Sequence, residues 1–131
     1  MNTRLATMRV VTSLATAAAA CGSPTPVACT ADSRAGVVVE LRDARTGAPA
    51  SVAGASLVVR EQGVVIDSVG APAELAGTSA HHLGAAHERA GVYSLTVRKP
   101  GYRDWTREDV RVAPGVCHVV TARLVALLER A

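Results

Sequence analysis

The sequence has no phenylalanine, one tryptophan, two tyrosines, and a single lysine among its fourteen basic residues. A chain so poor in aromatics cannot interleave stacking rings with a basic stripe, the pattern that single-stranded nucleic-acid surfaces use. Its arginines are scattered singly with acids between them, so the formal net charge of +3 marks no polyanion footprint. Two of them, Arg4 and Arg9, fall in residues 1–20; without that segment twelve basic residues face eleven acidic ones, a formal +1. No nucleic-acid partner is expected. Long hydrophobic runs are also lacking, since none reaches the ~20 residues of a membrane-spanning helix. There is no Gly-x-Ser-x-Gly elbow, HExxH helix, P-loop or dinucleotide fingerprint, so no motif assigns a reaction or a cofactor. What is present is 131 residues that are 49% hydrophobic, enough for one domain with a core and too apolar for a disordered chain.

The start of the chain reads as an address. Residues 1–9 carry Arg4 and Arg9 and no acid, and the uncharged stretch Val10 to Ala20 ends in four small residues, Ala17 to Ala20. A basic region, an apolar region of about 7–15 residues and small side chains at the cleavage point form a secretory signal peptide. A buried N-terminal helix is the competing reading, and the Cys-Gly-Ser-Pro-Thr-Pro run from Cys21 counts against it. Ala19-Ala20-Cys21 resembles the lipobox of bacterial lipoproteins, with Ala18 standing where that motif usually has Leu. The resemblance implies acylation of Cys21, cleavage before it, and export to the bacterial cell envelope with a lipid anchor, facing the periplasm or the cell surface. Ordinary cleavage after Ala18-Ala19-Ala20 is the alternative.

Cysteine parity extends this. With Cys21 lipidated, Cys29 and Cys117 remain as an even pair in an oxidising compartment, and a structural disulfide between them is expected. Closing so long a loop is worth up to about 4–5 kcal/mol on the chain-entropy model. Cys117-His118 lacks the spacing of a zinc site, and no metal is assigned.

After a polar tether to residue 34, strand signals dominate from residue 35 to 131. Val37, Val39 and Leu41 alternate with Val38, Glu40 and Arg42; Ala55, Leu57 and Val59 with Ser56, Val58 and Arg60. Gln62-Gly63 separates the latter from a hairpin partner at Val64-Val65-Ile66. Tyr93, Leu95 and Val97 form the cleanest alternation, and Val110 and Val112 continue it. From His118 the end fits a strand face (Val120, Ala122, Leu124, Ala126, Leu128) and also a helix face (Leu124, Leu127, Leu128, Ala131); its β-branched start favours strand throughout. Asp43, Thr46-Gly47, Pro49 and Pro100-Gly101 supply turns. Six or seven short strands at this spacing predict an all-β sandwich or small barrel.

Asp43-Ala44-Arg45-Thr46-Gly47-Ala48-Pro49 followed by Gly54-Ala55-Ser56-Leu57 resembles the opening of carboxypeptidase regulatory-like domains. Gly91-Val92-Tyr93 and Lys99-Pro100-Gly101-Tyr102 are similar to that family's Gly-x-Tyr strand and Gly-Tyr turn, extending the likeness over roughly residues 35–128. The resemblance implies a seven-stranded, transthyretin-type (prealbumin-like) Greek-key sandwich after a cleaved signal helix. It also implies a non-catalytic role, as an appendage or a stand-alone envelope module. Tyr93 and Tyr102 are expected at core or corner positions with a hydroxyl partner.

Chemistry has few candidates. His81, His82 and His87, with Glu88, lie in a Gly/Ala-rich stretch from Gly70 to Ala90 that reads as a long solvated loop. Adjacent histidines in a strand would point to opposite faces, which argues against a shared metal. Tyr102 and Trp105 are candidate ligand contacts if exposed and caps of the sandwich if buried; His118 reads as a structural hydrogen-bonding residue on the last strand. The expected function is therefore a lipid-anchored accessory module that contacts a protein or polysaccharide of the envelope. The competing reading is a metal-dependent or hydrolytic envelope enzyme built on His81, His82 and His87.

Overall fold

Period-two burial decides the architecture. Val37, Val39 and Leu41 are fully buried while Val38, Glu40 and Arg42 between them are half-buried, so β1 (Val37–Asp43) has one core face and one outer face. In a computed structural model, which describes residue 22 and residues 25–131, the same alternation recurs in β2 (Ser56–Glu61), β5 (Gly91–Arg98) and the end of β7 (Ala122–Leu128). β3 (Val64–Gly70), β4 (His82–Ala85) and β6 (Trp105–Val112) complete seven strands. The signal peptide and Cys21 lie outside the described residues.

The strands form two sheets around one core: a three-stranded sheet ordered β4-β1-β7 and a four-stranded sheet ordered β3-β2-β5-β6. The domain is all-β and sandwich-like. β1 is central to the smaller sheet, antiparallel to β4 and parallel to β7. Tyr93, Leu41, Leu57, Leu95 and Leu128 are the largest buried side chains, and with no Phe available the core is filled mostly by valine and leucine.

Turn chemistry holds the strands in register. Gln62 and Gly63 both have positive φ (49° and 81°), the requirement of a tight two-residue hairpin between β2 and β3. The Asp43 carboxylate accepts the N–H groups of Arg45 (2.9 Å) and Thr46 (3.2 Å), and Gly47 donates to the Asp43 carbonyl with φ 70°. This is the physical content of the Asp-x-x-Thr-Gly pattern. Tyr93 folds back along its own strand to donate its hydroxyl to the Arg89 carbonyl (2.9 Å), the partner expected for a buried phenol.

Two expectations are corrected. The stretch from Gly70 to Ala90 is not one solvated loop: it contains a 3-10 turn at Ala73–Leu75 and the edge strand β4, too short and too interrupted by glycine for a period-two signal. The last strand begins at Ala122 and ends at Leu128, so Cys117 and His118 belong to the β6–β7 connection. Between Ala113 and Thr121 only the Ala113–Val120 bridge is sheet-like, because Pro114 and Gly115 interrupt the ladder.

Gly36 marks a close approach. Its N–H donates to the Ala86 carbonyl (3.0 Å) and its carbonyl accepts from Ala122 (2.8 Å), joining the end of β4 to the start of β7. A Cβ there would lie 2.5 Å from the Ala86 carbonyl oxygen, a backbone atom that cannot swing aside. Gly36→Ala is therefore expected to lower unfolding stability by about 2 kcal/mol, read as a reduced urea midpoint at unchanged slope.

Candidate functional site

Among the described residues, three places gather chemically capable side chains. The first is the corner held by the disulfide. Cys29 and Cys117 are bonded with their Cα atoms 5.2 Å apart, closing a sequence separation of 88 residues. Such a bond persists in an oxidising environment. Beside it His118 donates Nδ1–H to Glu88 Oε1 (2.6 Å), while its Nε2 lies 3.0 Å from the Thr30 hydroxyl. A neutral imidazole with its proton on Nδ1 accepts the Thr30 hydroxyl at Nε2. Hydroxyl, imidazole and carboxylate thus stand in the hydrogen-bonding order of a nucleophilic triad.

The surroundings make it a clasp. Glu88 also accepts the backbone N–H of Arg34 (2.7 Å) and of Val119 (3.3 Å), so one carboxylate ties the N-terminal segment, the β4–β5 turn and the β6–β7 connection together. Thr30 is exposed, and the surface grooves at β7, at the β2–β3 hairpin and at the β1–β4 corner are lined by other residues. Acyl transfer needs, beyond such a triad, a cleft and oxyanion donors converging on the nucleophile. His118 makes hydrogen bonds on both ring nitrogens, to partners remote in sequence.

The second place is the β1–β4 corner. Glu40 is paired in register with His82, and His81 immediately precedes the strand, its carbonyl accepting Leu41 N–H (2.8 Å). Because His81 lies outside β4, strand alternation does not separate the rings: their centroids are 4.2 Å apart. That corrects the expectation of opposite faces. His87 is not part of the group; it lies exposed beyond the end of β4, so the three histidines of the sequence do not converge. Glu40 takes its place, with one donor atom each from Glu40, His81 and His82 within 4.8 Å of one another. Nothing local in the sequence marks Glu40, some forty residues away; only the sheet register brings it there.

The third place is β7 and its margins. On the outer face of the small sheet, Val38, Val125 and Leu127 lie on neighbouring strands, with Val125 47% and Leu127 52% exposed. Trp105, half-buried at the start of β6, lines a shallow groove of about 230 Å³ with Leu127, Arg103, Asp104, Thr106 and Glu129. Tyr102 packs partly on the core, and the Arg130 guanidinium (5.3 Å) and Lys99 ammonium (6.0 Å) lie over its ring. Trp105 is therefore partly at the surface, while cations lie over the Tyr102 ring.

Two carboxylates carry a pH signature. The Arg34 N–H, aided by His118 and the Val119 N–H, outweighs burial and holds the Glu88 carboxyl below its ordinary value of 4.5. Burial pushes the Asp43 carboxyl up, but the N–H groups of Arg45 and Thr46 and the Arg130 guanidinium outweigh it and hold it below 3.8. A carboxyl depressed in the folded state stabilises the fold above its unfolded value, and that contribution is lost as pH falls through the folded value. Glu88→Gln and Asp43→Asn are each expected to melt below the wild type at pH 7, with the gap narrowing below pH 4.5 and 3.8 respectively. Thermal melts from pH 7 to 3 check this; a gap independent of pH would contradict the assignment.

No protein-family model matches the chain, and no curated protein matches it.

Proposed function

We propose that this chain is a non-catalytic accessory module of the bacterial cell envelope, held to the membrane by lipid on Cys21, that docks a protein partner on the outer face of its β4-β1-β7 sheet. Three outward aliphatic side chains on that face, Val38, Val125 and Leu127, set among Glu40, Arg42 and Arg123, carry the reading. On β7, Val125 and Leu127 are both about half exposed on neighbouring outward positions, next to Val38 of β1, an aliphatic strip bordered by Glu40, Arg42 and Arg123. The exposed aliphatic branches of Val125 and Leu127 suit a protein surface better than a polysaccharide. Arg123 lies beside Val38 and has no ion pair among the described residues, so a partner with an aliphatic centre and an acidic rim fits.

Export is supported by the Cys29–Cys117 disulfide and by the basic-then-apolar start of the chain. Among the described residues no helix is long and apolar enough to cross a membrane, so the lipid is the proposed attachment. The transthyretin-type Greek-key reading, and with it the resemblance to carboxypeptidase regulatory-like domains, draws support from two features. The chain passes between the sheets at β1–β2, β3–β4, β4–β5 and β6–β7, and Tyr93 closes a corner onto the backbone four residues upstream.

Two outcomes are expected. In a bacterial host, Cys21→Ser moves the protein from the membrane fraction to the soluble fraction; retention in the membrane after that change argues against the anchor. A photo-crosslinking side chain at Leu127 yields a discrete protein adduct that is lost on Val125→Lys, and the same group at Thr96 on the other sheet yields none. Equal adducts from both faces, or an adduct resistant to protease and sensitive to glycan hydrolases, would overturn the protein-docking reading.

A further inference from the structure

We propose that Glu40, His81 and His82 form a binding site for a divalent transition-metal ion of the Zn2+ class at the corner where β1 meets β4. The inference stands on these three residues and not on the docking reading, although Glu40 and His82 border the same outer face beside Val125. Imidazole nitrogen with one carboxylate oxygen is a donor set that zinc and its neighbours in the series accept, and three protein ligands with an open fourth position characterise exchangeable rather than closed sites.

The donors are arranged for it. His81 Nδ1 donates to the Ser79 carbonyl (2.6 Å), which places its proton there and leaves Nε2 as a lone pair, the way a backbone carbonyl fixes a ligating histidine. Glu40 Oε1 accepts both Nε and Nη2 of Arg42 (2.7 Å each), and Arg42 is itself tied to the Gly47 carbonyl (3.0 Å). The carboxylate is thereby oriented and Oε2 is left to ligate. The donor atoms, which all lie within 4.8 Å of one another, must close to about 3.4 Å around a tetrahedral ion with bonds of about 2.0–2.2 Å. His82 is exposed and can make that movement by rotating its side chain, while Glu40 and His81 are half-buried and stay. Arg42 opposes a bound cation, which makes this a site of modest rather than extreme affinity.

Isothermal titration of Zn2+ into the full chain, with the disulfide oxidised and Cys21→Ser removing a competing thiol, tests it. One ion per chain is expected, with His82→Ala and Glu40→Gln each weakening binding about tenfold or more and His87→Ala leaving it unchanged. His82 is exposed, so its replacement leaves the metal-free melting temperature in place and a loss of binding is a loss of a ligand. A second readout needs no variant at that site: substoichiometric Cu2+ is expected to broaden the backbone amide resonances of residues 39–41 and 81–83 first. Absence of saturable binding, affinity unaffected by His82→Ala, loss of binding in His87→Ala, or broadening centred on His118 would each overturn the proposal.

Discussion

Everything in this fold hangs on the register of β1. It is the one strand of the small sheet paired on both sides, with Val39 opposite Leu83 of β4 and Leu124 of β7. Because side chains alternate with a period of two, a slip of one residue would expose Val37, Val39 and Leu41 and bury Val38, Glu40 and Arg42. The cost of exposing three fully buried aliphatic side chains excludes that slip. The same register places Glu40 beside His82 on one flank and beside Val125 on the other. The candidate metal corner and the aliphatic strip of Val38, Val125 and Leu127 are thus two consequences of one pairing.

The second constraint is the clasp around Glu88. A domain whose core has one buried aromatic side chain and otherwise aliphatics gains from tying its N-terminal segment down. The disulfide removes conformational freedom from the unfolded chain, worth up to about 4–5 kcal/mol for a loop of this length. The Glu88 carboxylate then satisfies donors from three segments at the place where the crosslink brings them together. Covalent bond and hydrogen-bonded carboxylate act on the same joint.

Much of the fold is legible in local sequence because its determinants are local. Alternation in Val37–Leu41, Leu57–Val59 and Tyr93–Val97, the Gln62-Gly63 hairpin and the Asp43 turn each depend on residues within about one strand length of each other. β4 is not legible in that way: His82-Leu83-Gly84-Ala85 carries one large apolar side chain and is a strand because β1 offers it an edge. The end of the chain shows the same limit. Val120 and Leu128 look alike in a period-two pattern, yet Val120 lies outside the strand and is exposed while Leu128 is buried.

By itself, then, the sequence determined the class of the fold and the positions of the strongest strands and turns, and, on the lipobox reading of Cys21, it pointed to the two cysteines that pair. Those follow from side-chain periodicity, backbone preference and parity, properties of neighbouring residues or of simple counting. Only the tertiary structure decided which polar groups meet. Glu40 joins His81 and His82 while His87 is left out, and Thr30, His118 and Glu88 converge from three distant segments. Strand order and register choose those neighbours. They arise from burying the whole set of apolar faces at once, a condition that no short stretch of sequence contains.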